Sequence, residues 1–113
     1  INMSGFIPLH KLYEIKKNKE KKQVSSYNAI GTICNNKITK VAKHGGTGTF
    51  FSVPGLMLGL PLYDLESCIE YLITGLKKHG YFVSRLPHPN FNVIYISWDP
   101  KDVKPKYNTI SNR

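Results

Sequence analysis

Apolar side chains recur every three or four residues between Leu65 and Leu76, and this spacing constrains the fold more than any other feature of the chain. The repeat consists of Leu65, Cys68, Ile69, Leu72, Ile73 and Leu76. Because an α-helix has 3.6 residues per turn, these side chains share one face. Asp64 is a suitable N-cap, and Gly80 follows the last basic residues as a C-terminal cap. The sequence therefore predicts a helix over residues 64–79 with one covered face.

The same periodicity predicts a second helix over residues 24–44. Its apolar positions are Val24, Tyr27, Ile30, Ile33 or Cys34, Ile38, and Val41 or Ala42. Basic residues followed by Gly45 and Gly46 end it, which suits the helix dipole and a left-handed cap. Residues 9–22 hold Leu9, Leu12 and Ile15, followed by an almost wholly polar stretch from Lys16 to Lys22, so they form either an arm or the first part of one long helix.

Three short runs of aromatic and β-branched residues predict strands at 49–53, 81–86 and 92–98. The glycine-rich residues 45–49 follow a helix rather than a strand, so they indicate a turn and not a P-loop. The fold class expected is α+β, with two helices packed on a small three-stranded, mainly antiparallel sheet in the order helix-strand-helix-strand-strand. This order is winged-helix-like in topology, and extended N- and C-terminal arms are expected to flank it.

Composition divides the chain into three parts: a basic N-terminal arm or helix over 1–22, a single α+β domain over 23–98, and a polar C-terminal tail over 99–113. The chain begins at Ile1 and could be a fragment of a longer one. The N-terminal residues lack the continuous apolar core of a secretory signal, and no apolar run reaches the length of a membrane span. These patterns predict an intracellular setting without a membrane-spanning segment.

The net charge of +9 indicates an acidic partner, and the basic excess is concentrated near the N-terminus. The densest cluster consists of Lys16, Lys17, Lys19, Lys21 and Lys22. Three interpretations remain open for it: a solvated surface, docking to an acidic protein, or contact with nucleic-acid phosphates. The cluster contains no arginine, the residue that most often contacts guanine bases, so phosphate contact is favoured over sequence readout.

Residues that could carry catalysis or bind a metal do not form a recognisable constellation. Cys34 and Cys68 fall on the apolar faces of the two predicted helices, where buried free thiols are expected. The four histidines are not spaced as metal ligands, and no GxSxG motif is present. We therefore expect a protein that is not an enzyme, with no cofactor, no metal and no small-molecule substrate.

Apolar residues outside the predicted elements mark candidate protein contacts. Residues 54–63 form an apolar loop that either packs on the core or contacts a neighbouring protein. The contact candidates in this loop and in the two arms are Phe6, Ile7, Leu56, Met57, Leu58 and Tyr107. Isolated apolar anchors on polar arms are typical of segments that become ordered on a partner.

Several short motifs occur in order between residues 50 and 98: Phe-Ser-Val-Pro, Gly-Leu-Pro-Leu-Tyr-Asp, Cys-Ile-Glu-Tyr-Leu, Leu-Lys-Lys-His-Gly-Tyr-Phe-Val and Tyr-Ile-Ser-Trp. In these motifs the chain resembles a family of short uncharacterised proteins of nucleocytoplasmic large DNA viruses, over about residues 24–98. The resemblance implies a viral protein located in the virion, and in the host cytoplasm during assembly. It supplies neither an activity nor catalytic residues.

Taken with the apolar loop and the arms, the resemblance favours a minor structural component of a virus particle that binds other virion or capsid proteins. The alternative is a basic, winged-helix-like protein that contacts nucleic-acid phosphates through its N-terminal lysines.

Overall fold

The computed structural model describes residues 5–103 of the chain. Its elements are α1 (Leu9–Lys43), β1 (Gly48–Ser52), α2 (Leu65–Lys78), β2 (Phe82–Arg85) and β3 (Val93–Ser97). The predicted order of helix, strand, helix, strand and strand is confirmed. The predicted boundaries differ from the observed ones by one or two residues for every element except α1.

The three strands form one antiparallel sheet in which β3 lies between β1 and β2. Phe51 of β1 and Arg85 of β2 are both paired with Ile94 of the central strand. Alternate residues of β3 point to opposite faces of the sheet. Ile94 and Ile96 are completely buried on the face that meets the helices. Tyr95, on the other face, packs against Phe50 at a ring distance of 5.0 Å.

Both helices bury their predicted apolar stripes in a single core. The buried residues are Tyr27, Ile30, Cys34 and Ile38 of α1 and Cys68, Ile69, Leu72 and Leu76 of α2. The predicted stripe is incomplete at its margins. Leu65 and Ile73 are only partly buried, and Val24 remains 40% exposed because α1 has already left the domain at that point.

Two local contacts fix the start of α2. Asp64 caps the helix by accepting hydrogen bonds from the Ser67 backbone N–H at 2.8 Å and the Ser67 hydroxyl at 2.7 Å. These bonds hold the pKa of the Asp64 carboxyl below its ordinary value. Glu66 in the first turn accepts hydrogen bonds from Arg85, one of them from Nη2 at 2.9 Å, and so connects α2 to β2.

The first helix is a single rod of 35 residues, about 52 Å long at 1.5 Å per residue. Of the two alternatives for residues 9–22, the structure shows the helix, and the expected extended N-terminal arm is wrong for this range. The helix forms because Leu, Lys and Glu are good helix formers and no Gly or Pro occurs between Pro8 and Gly31. Extending an existing helix costs far less than nucleating one, so the packed half of α1 supports the exposed half.

The described part of the predicted C-terminal tail is attached to the end of the sheet. The hydroxyl of the completely buried Ser97 donates to the Asp102 carboxylate at 2.7 Å and accepts from the Asp99 backbone N–H at 3.1 Å. Thr47 also donates to Asp99, at 3.3 Å. Residues 99–103 therefore turn against the domain. Tyr107, a predicted contact residue, lies outside the described residues.

Candidate protein-binding surface

Residues 9–25 of α1, called here the projecting segment, extend beyond the domain. Every residue of this segment is exposed except Gln23, which is half-buried. The first buried residues of α1 are Ser26 and Tyr27. The helix also begins without a side-chain cap at Pro8 and without an acidic residue in its first turn. The projecting segment is therefore a helix whose side chains find almost no cover within residues 5–103.

All five lysines predicted as a binding cluster lie on the projecting segment and are exposed. They are Lys16, Lys17, Lys19, Lys21 and Lys22. Successive residues of an α-helix are about 100° apart around its axis, so these five positions surround the helix with no gap wider than about 100°. The lysines do not form a one-sided stripe, and a single partner surface would contact only some of them.

The tip of the projecting segment carries a cluster of exposed apolar side chains. These are Phe6 (74% exposed), Ile7 (62%), Leu9 (61%), Leu12 (47%), Tyr13 (64%) and Ile15 (60%). Phe6 and Ile7 were predicted contact residues, and both are exposed. Tyr13 was not predicted as a contact residue from the sequence, because a single tyrosine near lysines forms no pattern. The helix places it one turn from Leu9. Phe6 and Ile7 precede the helix, and of the four helical residues Leu9, Leu12 and Tyr13 fall on one side.

This side is the one on which the domain lies. If Leu9 is placed at about 0° around the helix axis, Leu12 lies at about 300° and Tyr13 at about 40°. The buried residues Tyr27, Ile30 and Cys34 lie within the same range of about 100°, between about 300° and about 40°. The side that continues the buried stripe towards the tip is called here the inner face. It consists of Leu9, Leu12, Tyr13, Lys16, Lys19, Glu20 and Gln23. The inner face has apolar residues at its tip and charged or polar residues in its middle.

The apolar loop, residues 54–63, lies where the inner face reaches the domain. The Ser26 hydroxyl donates to the Pro61 carbonyl at 2.7 Å, and the Tyr63 hydroxyl donates to the Pro54 carbonyl at 2.5 Å. The first bond holds the loop against α1, and the second joins the two ends of the loop. Because Leu9 and Ser26 are 17 positions apart in the sequence, about 26 Å of helix separates the tip from the loop.

The loop exposes most of its leucines. Leu56 is 56% exposed, Leu58 is 94% exposed and Leu62 is 75% exposed. Met57, also predicted as a contact residue, instead packs partly against the core of its own domain. Leu62 was missed in the sequence, where its position among other apolar residues gave no sign of its direction. The loop thus provides a second exposed apolar surface.

A cleft of about 600 Å³ lies between α1 and α2. It is wide because Gly31 and Gly75 face it without side chains, and Asn28 accepts a hydrogen bond from the Tyr71 hydroxyl at 2.6 Å on its rim. Cys34 lies at its floor, where burial raises the pKa of the thiol to about 11. A thiol that stays protonated at neutral pH is a poor nucleophile.

Metal-ligating side chains are not grouped in the part of the chain that the structure describes: residues 5–103 contain no cluster of three or more His, Cys, Asp or Glu suited to a metal ion. Within the same range, no helix combines the length and apolar character needed to cross a bilayer.

Comparison with known proteins gives a family but no activity. Neither the curated proteins nor the solved structures contain a significant match to this chain. The model of a family of unknown function, DUF5759, matches residues 7–77. This range holds all of α1, including the projecting segment, together with β1, the apolar loop and nearly all of α2. Since the match covers more than half of the chain, the protein belongs to the DUF5759 family of unknown function.

Proposed function

We propose that this protein is a non-enzymatic interaction protein that connects neighbouring proteins through the projecting segment and the apolar loop. The observation that carries the proposal is the exposure of residues 9–25, a helix with apolar side chains at its tip and almost no cover from the rest of residues 5–103. Soluble proteins rarely expose contiguous large apolar patches unless the patch contacts something. Two such surfaces at separate positions suit a protein that joins two neighbours.

The energetics of the projecting segment support the same proposal. Most helical stability in proteins comes from packing an amphipathic face, and short isolated helices are marginal in water. Like charges at helical spacing, as in Lys16–Lys19, Lys17–Lys21 and Lys19–Lys22, weaken the helix further. An acidic partner would cover the apolar tip and relieve this repulsion, so binding would stabilise the exposed half of α1.

The setting that we propose is a large DNA virus particle, in which the protein is a minor, capsid-associated component formed in the host cytoplasm. The support is the likeness of residues 24–98 to short proteins of such viruses. The DUF5759 match adds that the projecting segment is part of the sequence that the family shares. The proposed neighbours are other virion or capsid proteins.

Fractionation of infected cells, followed by mass spectrometry of purified particles, tests this setting. We expect the wild-type chain in particles, still present after detergent and nuclease treatment, because protein contacts hold it there. Replacing the exposed Leu58 with aspartate should reduce its incorporation, since an unpaired carboxylate would enter a protein interface. Leu72→Met, a change of similar size inside the core, is the control that keeps both surfaces intact. A chain found only in soluble fractions would contradict the proposal.

Nucleic acid is the second candidate partner, favoured by the lysines that surround α1 on all sides. If they track phosphates, affinity should fall steeply with salt, and replacing all five by alanine should lower the log–log salt slope by about 4. Electrophoretic mobility shifts on duplex and single-stranded DNA at several salt concentrations measure this slope. Lack of binding at low salt would remove this candidate.

A further inference from the structure

We infer that the inner face of the projecting segment binds an α-helix of a partner protein, with acidic residues at the centre of that helix and apolar residues at both ends. This inference rests on the proposed function and names the chemistry of the partner. The bound helix would lie along α1 on the side where α2 packs farther down. It would occupy the space between the inner face of the projecting segment and the apolar loop.

Geometry defines the length of the bound helix. The inner face extends about 26 Å from the tip to the apolar loop, which corresponds to about 17 residues of α-helix. At its lower end the Ser26 hydroxyl is bonded to Pro61, and the neighbouring Leu62 is 75% exposed. A helix of this length therefore meets Leu9 and Leu12 at one end and Leu62 at the other.

Charge defines the composition of the bound helix. Lys16 and Lys19 occupy the middle of the inner face, between the apolar tip and the apolar loop. Helix geometry places Lys19 within the arc of the buried residues of α1, and the Lys19 charge helps to lower the pKa of Asp64, behind the larger effect of the Ser67 hydrogen bonds. A partner helix with glutamates at its centre would pair with both lysines while its apolar ends cover the leucines.

Neither another part of this chain nor a second copy matches this composition. The C-terminal residues 104–113 contain Lys104, Lys106 and Arg113 and no acidic residue. The projecting segment itself carries six lysines against two glutamates, a net charge of +4. Of these charges Lys16, Lys19 and Glu20 lie on the inner face, so two copies packed along it would bring together two basic faces within two basic segments, and like charges in an interface oppose association.

Nucleic acid and lipid fit the inner face less well. Phosphates would pair with the lysines but leave Leu9, Leu12 and Leu62 uncovered. A flat anionic bilayer would have to approach the side of α1 on which the domain already lies, because Leu9 and Leu12 share the arc of the buried residues Tyr27 and Ile30. A narrow helix can enter that space, whereas a wide, flat surface would collide with the domain.

The test uses the full chain and a synthetic 17-residue amphipathic helix with glutamates at its centre and leucines at both ends. We expect fluorescence anisotropy to show saturable binding of this peptide. The double variant Lys16→Glu/Lys19→Glu should weaken binding at least about tenfold, because two ion pairs become repulsions. Leu12→Ser should also weaken it, since Leu12 lies on the inner face.

The matched control is Lys21→Glu/Lys22→Glu, which changes the same charge on the opposite side of α1 and should alter affinity less than about threefold. Equal losses of peptide affinity in the two double variants would show that charge acts without a defined face and would overturn the inference.

Tighter binding to vesicles of phosphatidylcholine and phosphatidylserine, or to duplex DNA, than to the peptide would also overturn the inference. A dimer in sedimentation that dissociates in Leu12→Ser would assign the face to a second copy. Any of these results could occur with the chain still present in particles, so the inference can fail while the proposed function stands.

Discussion

Replacing Leu72 with alanine is expected to lower the free energy of unfolding by about 2–5 kcal/mol. Leu72 lies in the middle of α2, is 5% exposed, and lies beside Gly31 of α1. Removing its terminal carbons loses apolar burial and leaves a cavity, because the sheet beneath α2 prevents the site from collapsing. Urea denaturation followed by circular dichroism measures the change.

Leu58→Ala is the matched control, because it makes the same chemical change at a side chain that is 94% exposed. Its free energy of unfolding should stay within about 0.5 kcal/mol of wild type. A similar loss in both variants would mean that the apolar loop is part of the folding core. No loss in Leu72→Ala would contradict the packing of α2 on α1 and the sheet.

The sequence predicted those elements whose own periodicity matches the surface that they bury. The centres of both predicted helix stripes are buried as expected, because each meets the same sheet face, whereas Leu65, Ile73 and Val24 are not fully covered. The sequence also predicted the three strands, but it did not single out Ile94 and Ile96 as core residues or predict the position of β3 between β1 and β2. Strand order depends on tertiary packing, which short sequence patterns do not encode.

The projecting segment shows why the site could be predicted only in part. Its lysines and Leu9 were visible in the sequence, but polar composition suits both an exposed helix and an arm. The adjacent packed half of α1 decides between a helix and an arm, because it supplies the helix nucleus from which the projecting segment can extend. Once the segment is helical, Lys16 and Lys19 lie on the inner face and Lys21 and Lys22 lie on the opposite side of the helix. The sequence alone does not show this difference, because it depends on the segment being a helix.

The loop leucines illustrate the same limit. The apolar loop was predicted either to pack or to make contacts, and it does both, since Met57 covers the core while Leu58 points away from it. The placement of the loop involves the hydrogen bond that the Ser26 hydroxyl donates to the Pro61 carbonyl, and these two residues are 35 positions apart in the sequence. Long-range bonds of this kind leave no periodic signature.

The free energy of unfolding is expected to fall as pH rises from about 9 to about 11. Burial raises the pKa of both thiols, Cys34 and Cys68, from 9.0 to about 11, so between these values the unfolded chain has lost protons that the native chain keeps. Stabilisation by the protonated thiols is complete below pH 9 and lost as pH passes 11. Since each tenfold change in proton affinity is worth about 1.4 kcal/mol, the loss is on the order of 2–5 kcal/mol.

The control for this alkaline loss is the double variant Cys34→Ala/Cys68→Ala, compared by its slope with pH rather than by its stability at one pH. Burial also raises the pKa of the Tyr27 and Tyr63 hydroxyls, so the variant should still lose some stability in alkali. The wild-type slope should be clearly steeper, because only the wild type has buried thiols to ionise. Urea titrations in reducing buffer at half-unit steps of pH measure both slopes, and equal slopes would show that the thiols ionise as readily in the folded chain as in the unfolded one.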